Sequence, residues 1–330
     1  MNHYPQRRQI FQSLVLNKTL DNGGDNQPVT KPRRKITMKH NWFVILVMLL
    51  YVQPASSSNE CISNSETNLI GLPDGSHFCG DLKGGMFEGN GVLTWSNGKK
   101  YTGSFKNGLF HGKGKLVHAN GDTYEGSFDN GIENGYGVYI FRGSDVYIGN
   151  FANGYFNGHG ELTTLNGSAK YVGEFKDDYY NGTGMLNYVN GNIYEGEFVM
   201  GRPHGFGKLI QSRTGTYTGQ FSAGSFHGEG VFVSEDGTKY EGNFEKGLWN
   251  GHGVRFSSNG DIYTGEFKDG TYHGYGVYKF NGGEEYKGMF LNNAFNGEGI
   301  FIDKDGKKVS GEWKNGELFL ETGDEDISNK

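Results

Sequence analysis

Histidines recur one residue ahead of a Gly-x-Gly pair, at His111, His204, His227 and His273. Imidazoles at a fixed spacing are the groups that hold metals or move protons near neutral pH. The remaining repeats carry Glu88, Asn134, Asn157, Asn181, Asn250 or Asn296 at this place. A position that accepts His, Asn or Glu asks for a polar group beside a turn. Ligands in successive repeats would also lie about 10 Å apart, too far for one ion. A second column of acids, Glu174, Glu197 and Glu266, reads as a solvated face. Gly-x-Gly could begin a phosphate loop, yet no Walker lysine follows it and no helical pattern follows for a phosphate to meet. Gly-x-Ser-x-Gly, His-Glu-x-x-His and Cys-x-x-Cys do not occur. The expectation is a non-catalytic chain without a cofactor or metal.

Composition points the same way. Of 330 residues 57 are glycine and only 6 proline, while aromatics reach 15%. Disordered chains avoid aromatics, collagen needs proline, and glycine at this density would cost helices about 1 kcal/mol per occurrence. An ordered chain with many turns and close backbone approaches remains. Charge is uneven. Residues 1–57 hold 8 Lys+Arg and 2 Asp+Glu, a net of +6, so the rest carries −12 of the overall −6. An acidic body is a poor match for nucleic acid or anionic lipid. It suits protein partners with basic surface.

What must position the polar columns is a repeat. Tyr-x-Gly-x-Phe starts at Tyr101-Gly103-Phe105 and recurs at Tyr124, Tyr147, Tyr171, Tyr194, Tyr217, Tyr240, Tyr263 and Tyr286. Gly-x-Gly runs in register from Gly89/Gly91 to Gly297/Gly299, and each step is 23 residues save one of 24 between Tyr147 and Tyr171. Degenerate copies, Phe78-Gly80-Leu82 and Val309-Gly311-Trp313, flank the run. Alternation of period 2 predicts strands. Turns such as Asn107-Gly108 and Asn97-Gly98, with both central residues at positive φ, predict one hairpin per repeat. The in-strand glycines leave room for aromatic rings to lie over the backbone. The extra residue near 166–170 is expected as a bulge or a longer turn, and Asp177-Asp178 and Met200-Gly201 depart from Asn-Gly.

This pattern resembles the MORN repeat (membrane occupation and recognition nexus) over roughly residues 78–320. The resemblance implies an all-β fold: an elongated, single-layer antiparallel β-meander of tandem 23-residue hairpins, twisted and curved, with about ten full repeats and a partial one. It also implies a scaffold that contacts proteins, associates with itself and in some members attaches to membranes. The kinase and methyltransferase domains that accompany such arrays elsewhere do not lie in these 330 residues. The expected binding surface is the aromatic face, with the second-strand rings Phe110, Phe156, Tyr180, Phe226, Trp249, Tyr272 and Phe295 as its candidates. Arg255 stands where other repeats carry Leu93, Leu116, Leu186, Leu209 or Phe232. It either snorkels out of the core, which is the expectation, or marks a site. Edge strands at Phe78 and at 309–313 are expected to pair with a second copy, with Trp313 as the C-terminal homodimer candidate.

Around the array, residues 1–37 read as a basic polar leader or an untranslated or cytosolic extension, and 38–57 as a signal peptide or short anchor. Met38-Lys39 opens this segment, 42–52 is apolar throughout, and Ala55 and Ser57 suit cleavage after Ser57. The apolar run is well short of the about 20 residues of a spanning helix. The expected location is the secretory pathway or the extracellular space, with a membrane-anchored or cytoplasmic chain as alternatives. Residues 58–77 lead into the array and 321–330 form an acidic tail. Cys61 and Cys79 are a candidate disulfide or two separate thiols, and Asn166 and Asn181 head glycosylation sequons. An exported protein binding a sugar or peptide in the aromatic groove is the alternative function.

Overall fold

Side chains at alternate positions of a strand share a face, so Tyr-x-Gly-x-Phe puts a ring, a gap and a ring on one side. A computed structural model of the chain describes residues 69–143, 145–164 and 169–321 and shows what the gap is for. Twenty-three strands, from β1 (Leu69–Gly71) to β23 (Glu317–Glu321), form one open antiparallel sheet. Each strand pairs with its neighbours in the chain, as β4 (Lys100–Lys106) pairs with β5 (Leu109–Val117) and β5 with β6 (Thr123–Asp129). The all-β meander of tandem hairpins is therefore the observed fold, and among the described residues no second layer of secondary structure covers either face.

The core of this single layer is a run of rings on one side, the front face. Tyr101 lies along its hairpin over Gly103 and Gly114. A Cβ on Gly103 would sit 2.6 Å from the Tyr101 hydroxyl and 2.5 Å from the Gly114 Cα. Beyond the glycines the Tyr101 ring stacks on Phe110 at 3.8 Å and meets Phe105 edge-on at 5.0 Å. It also meets Phe128 of the next hairpin edge-on at 5.1 Å. The same edge contact into the next hairpin recurs at Tyr147–Phe175, Tyr194–Phe221, Tyr240–Phe267 and Tyr286–Trp313. Rings in stacked and T-shaped pairs gain beyond their area, and here they bury every tyrosine of the column completely.

The first glycine of Gly-x-Gly has a different task. Within each hairpin the register jumps: Gly103 faces Gly114, but Ser104 faces His111, so Gly112 and Lys113 have no opposite number on β4. Between hairpins the ladder is regular, as Gly112 facing Phe128 and Lys113 facing Ser127 show. Gly112 turns this bulge at φ +64, and nothing crowds its Cβ position closer than 3.6 Å. It is thus glycine for conformation, whereas Gly103 and Gly114 are glycine for space. The tyrosine hydroxyl closes the bulge. Tyr101 Oη donates to the Ser104 carbonyl at 2.9 Å. Tyr124, Tyr147, Tyr171, Tyr194, Tyr217, Tyr240, Tyr263 and Tyr286 make the same bond three residues on, at 2.8 to 3.1 Å.

The two turns of each repeat are not alike. In the first, both residues have positive φ, as expected: Asn107 +52 and Gly108 +80. Asp177-Asp178 (+50, +71) and Met200-Gly201 (+48, +80) take the same shape without the Asn-Gly pair. This turn also reaches back one repeat, Gly108 N–H donating to the Phe87 carbonyl and Gly131 N–H to that of Phe110. In the second turn only the glycine is left-handed, which corrects the expectation for Asn97-Gly98. Asn97 keeps negative φ and its side-chain oxygen instead accepts the Lys99 amide at 3.0 Å. Asn120, Asn190 and Asn259 do the same. The extra residue near 166–170 lengthens a turn: Thr164 N–H reaches the Ala169 carbonyl, where elsewhere Trp95 reaches Lys99.

Two predictions follow from the ring column. Gly103→Ala should cost about 3 kcal/mol, because the neighbouring strand must move, while Gly112→Ala should cost about 1 kcal/mol of backbone strain. Urea unfolding of the two variants checks the ranking. Burial pushes the Tyr217 and Tyr286 phenols up to about 12, and raises those of Tyr101, Tyr124, Tyr171, Tyr194, Tyr240 and Tyr263 as well. An unfolded phenol ionises near 10, so above that pH the unfolded chain releases protons that the folded chain keeps. Stability from these groups should be intact below about pH 10 and lost as pH rises through about 12. Phenolate absorbance and near-ultraviolet circular dichroism should then change together, and early loss of the buried phenol protons from a still-folded array would contradict the assignment.

Candidate interaction surface

The seven second-strand rings expected to greet a partner are occupied. Phe110, Phe156, Tyr180, Phe226, Trp249, Tyr272 and Phe295 each lie flat against the tyrosine of their own hairpin, with centroids 3.7 to 4.6 Å apart. Phe156, Tyr180, Phe226 and Tyr272 are buried, and Phe110, Trp249 and Phe295 half-buried. The rings form the spine of the sheet, each with one flat side taken by its own tyrosine. Two of the hairpins that carry the tyrosine lack the second ring: Glu133 and Pro203 stand in its place.

Trp313 is likewise not at an edge. It lies on β22 (Lys308–Lys314), which pairs on one side with β21 (Ala294–Ile302) and on the other with β23. Its ring packs edge-on against Tyr286 and Phe295, and Nε1 donates to the Gly299 carbonyl at 3.2 Å. The chain continues past the Asn315-Gly316 turn into one more strand, so the outermost described strand at this end is β23, with Phe319 exposed. At the other end β1 covers Phe78 on β2 (His77–Lys83).

Cys61 and Asn166 lie outside the described residues. Cys79 sits on β2 facing Leu69 and Val92 and is not a free thiol. Asn181 is half-buried within β11 (Tyr179–Asn187). The apolar run 42–52 is also outside, and no helix among the described residues is long and apolar enough to cross a membrane.

The polar columns line the opposite, back face and serve the bulges. The Glu197 carboxylate accepts the Phe206 amide at 2.9 Å, and Asn150 and Asn243 donate to the carbonyls of His159 and His252. His111 lies 3.5 Å from Asp129, and His159 3.4 Å from Glu174. Among the described residues no three His, Cys, Asp or Glu side chains gather as a metal site would need.

The back face also holds an open groove of about 960 Å³. Its floor is a row running across consecutive strands: Thr218 faces Val231, which faces Glu241, then Val254, Thr264 and Val277. Its walls are two aromatic side chains three repeats apart, Phe206 on β13 (Arg202–Gln211) and Tyr275 on β19 (Thr271–Lys279), 63% and 57% exposed. Glu229, Glu241 and Glu266 line it, and Lys239, outside the lining, pairs with Glu241. Large exposed rings on either side of an apolar strip are typical of contact surfaces. The sequence signal was present but diluted. Phe206 and Tyr275 occupy the middle of Gly-x-Gly, where Asn90, Lys113, His159, Thr183 and Glu229 stand in other repeats.

Comparison with known proteins fits the repeat. A family model described as the MORN repeat matches ten segments between residues 78 and 308, leaving only 170 and 213–216 unmatched within that span. No curated protein sequence matches the chain. Among solved structures it is similar to the TCP10 domain of Danio rerio CPAP in complex with a peptide of Danio rerio STIL. That likeness has 13% identity and a TM-score of 0.34, and it covers 74% of this chain and 99% of that one. It is also similar to the SAS-4 (dCPAP) TCP domain of Drosophila melanogaster in complex with a proline-rich motif of Ana2 (dSTIL), at 13% identity, 61% and 90% coverage and a TM-score of 0.28. Both likenesses are too distant to bear on the surface described above.

Proposed function

This chain belongs to the MORN repeat family, and on that premise we propose that it is a non-catalytic scaffold whose back-face groove holds an extended, basic segment of a partner protein. The observation that carries the reading is the groove between Phe206 and Tyr275, with three valines along its floor and Glu229, Glu241 and Glu266 in its lining, of which Glu241 is paired with Lys239. Six inter-strand steps separate β13 from β19, or about 29 Å at 4.8 Å each. An extended chain of about nine residues spans that distance. Its apolar side chains would settle on Val231, Val254 and Val277, and its lysines or arginines would meet Glu229 and Glu266, with Glu241 already paired to Lys239. The acidic body would attract such a segment and repel anionic lipid or nucleic acid.

A nine-residue peptide alternating arginine and leucine serves as the probe, with glutamate replacing arginine in its control. The arginine peptide should bind saturably by fluorescence anisotropy and weaken as salt rises, and the control should not bind. Phe206→Ala and Tyr275→Ala leave the buried rings untouched and should each lower affinity about tenfold. Equal binding of the two peptides, or unchanged affinity in both variants, would remove the groove from consideration.

We further propose that the array works after export. The basic start at Met38, the apolar run 42–52 and the small residues before Ser58 support this reading, as does a candidate bridge between Cys61 and Cys79. Intact mass of the protein from its own cells should begin at about Ser58, rise by two hydrogens on reduction and fall on treatment with a glycosidase. A mass retaining residues 1–57 without glycan would place the scaffold on the cytosolic side.

A further inference from the structure

Arg255 does not leave the core. It sits on β17 (Leu248–Phe256) between Tyr240 and Tyr263 on the front face, half-buried. Its Nη1 donates to the Tyr272 hydroxyl at 2.7 Å, and the guanidinium carbon lies 5.9 Å from the centre of the Trp249 ring. Its Nε is buried and has no acceptor. Among the described residues no carboxylate lies within ion-pair distance of it. The acids that feel its charge, Asp236 and Asp261, are held in their own turns. Asp236 accepts from the Ser234 hydroxyl and the Thr238 amide. Asp261 accepts from the Asn281 amide, the Tyr278 hydroxyl and the Asn259 side chain, and these bonds keep its carboxyl below the usual range.

A guanidinium drawn away from water is costly unless an anion or a full set of acceptors meets it. An apolar side chain would remove that cost, and the other repeats carry Leu, Phe or Tyr here. The charge also opens onto a cavity of about 460 Å³ walled by Trp249, Tyr272, Tyr278, Phe280 and Phe295. That volume is in the range of small-molecule sites. A carboxylate matches the planar fork of arginine, and the ring walls suit a flat apolar body. We propose that this pocket binds a carboxylate attached to an aromatic ring, carried either by a free small acid or by the C-terminal residue of a peptide. The site is on the face opposite the groove and does not depend on the scaffold reading.

The probes are 3-phenylpropionate, its uncharged amide, and the tripeptide Ala-Ala-Phe with a free or an amidated C-terminus, titrated into the whole protein by calorimetry and tryptophan fluorescence. The acid should bind saturably and at least about tenfold more tightly than the amide. Arg255→Leu installs the residue that five other repeats carry, so it should keep the fold by circular dichroism and lose the acid. Arg255→Lys should weaken binding about tenfold, since an ammonium lacks the fork. Preference for the free-ended tripeptide would assign the ligand to a chain terminus, and preference for 3-phenylpropionate to a small molecule; either supports the pocket. Equal affinity for acid and amide, no saturable binding of any carboxylate probe, or wild-type affinity in a folded Arg255→Leu protein would overturn it. A failure here leaves the peptide experiment on the back face unaffected.

Discussion

A tyrosine ring lying on two facing glycines is the interaction on which the rest of this sheet depends. Tyr101 over Gly103 and Gly114 fills space that any Cβ would close, and its hydroxyl bonds the Ser104 carbonyl at the bulge. One side chain thereby does three things. It supplies buried apolar area, satisfies a backbone acceptor where the ladder jumps, and offers an edge to Phe128 of the next hairpin. A single layer has no second sheet or helix to cover its core. Here large rings laid flat on bare backbone take over that role.

Coupling between repeats follows from the same geometry. Each tyrosine meets an aromatic ring of the following hairpin, phenylalanine in all but the last, and each first turn bonds a carbonyl of the hairpin before it. Stability of this kind passes from neighbour to neighbour, as in other repeat architectures. It also divides labour between the faces. The front is consumed by the spine, so the residues free to vary toward a partner are those on the back, where Phe206, Tyr275 and the glutamates of the groove stand. Departures on the front, such as Glu133 or Arg255, are the exceptions, because a charge in a ring column must find its own partner.

The repeat and its hairpins were legible because their causes are local. Alternation sets the face, Asn-Gly sets the turn, and a fixed step sets the register. Less was legible about the glycines. Sequence gave Gly112 and Gly114 one role, whereas the bulge makes the first a left-handed hinge and leaves the second as floor for a ring. The aromatic face illustrates the limit most clearly. Counting rings identifies where apolar mass collects, but not whether a ring such as Phe156 presents its flat side to solvent or to Tyr147. The sequence places Trp313 on a terminal strand, whereas the backbone beyond the Asn315-Gly316 turn pairs as one more strand outside it.

The sequence by itself determined the class, the period, the hairpin as unit and the acidic character of the body, since each rests on residue type at short, fixed spacing. Tertiary structure decided which surface is available. The groove exists because Val231, Val254 and Val277, each a repeat apart, fall into one row across the sheet, and because Phe206 and Tyr275 rise on either side of it. The Arg255 pocket likewise joins residues of successive hairpins, Trp249, Tyr272 and Phe295. Neighbourhood across a sheet is set by strand register and by the bulge that resets it in every hairpin. That relation links residues far apart in the chain, and no local pattern of residue types contains it.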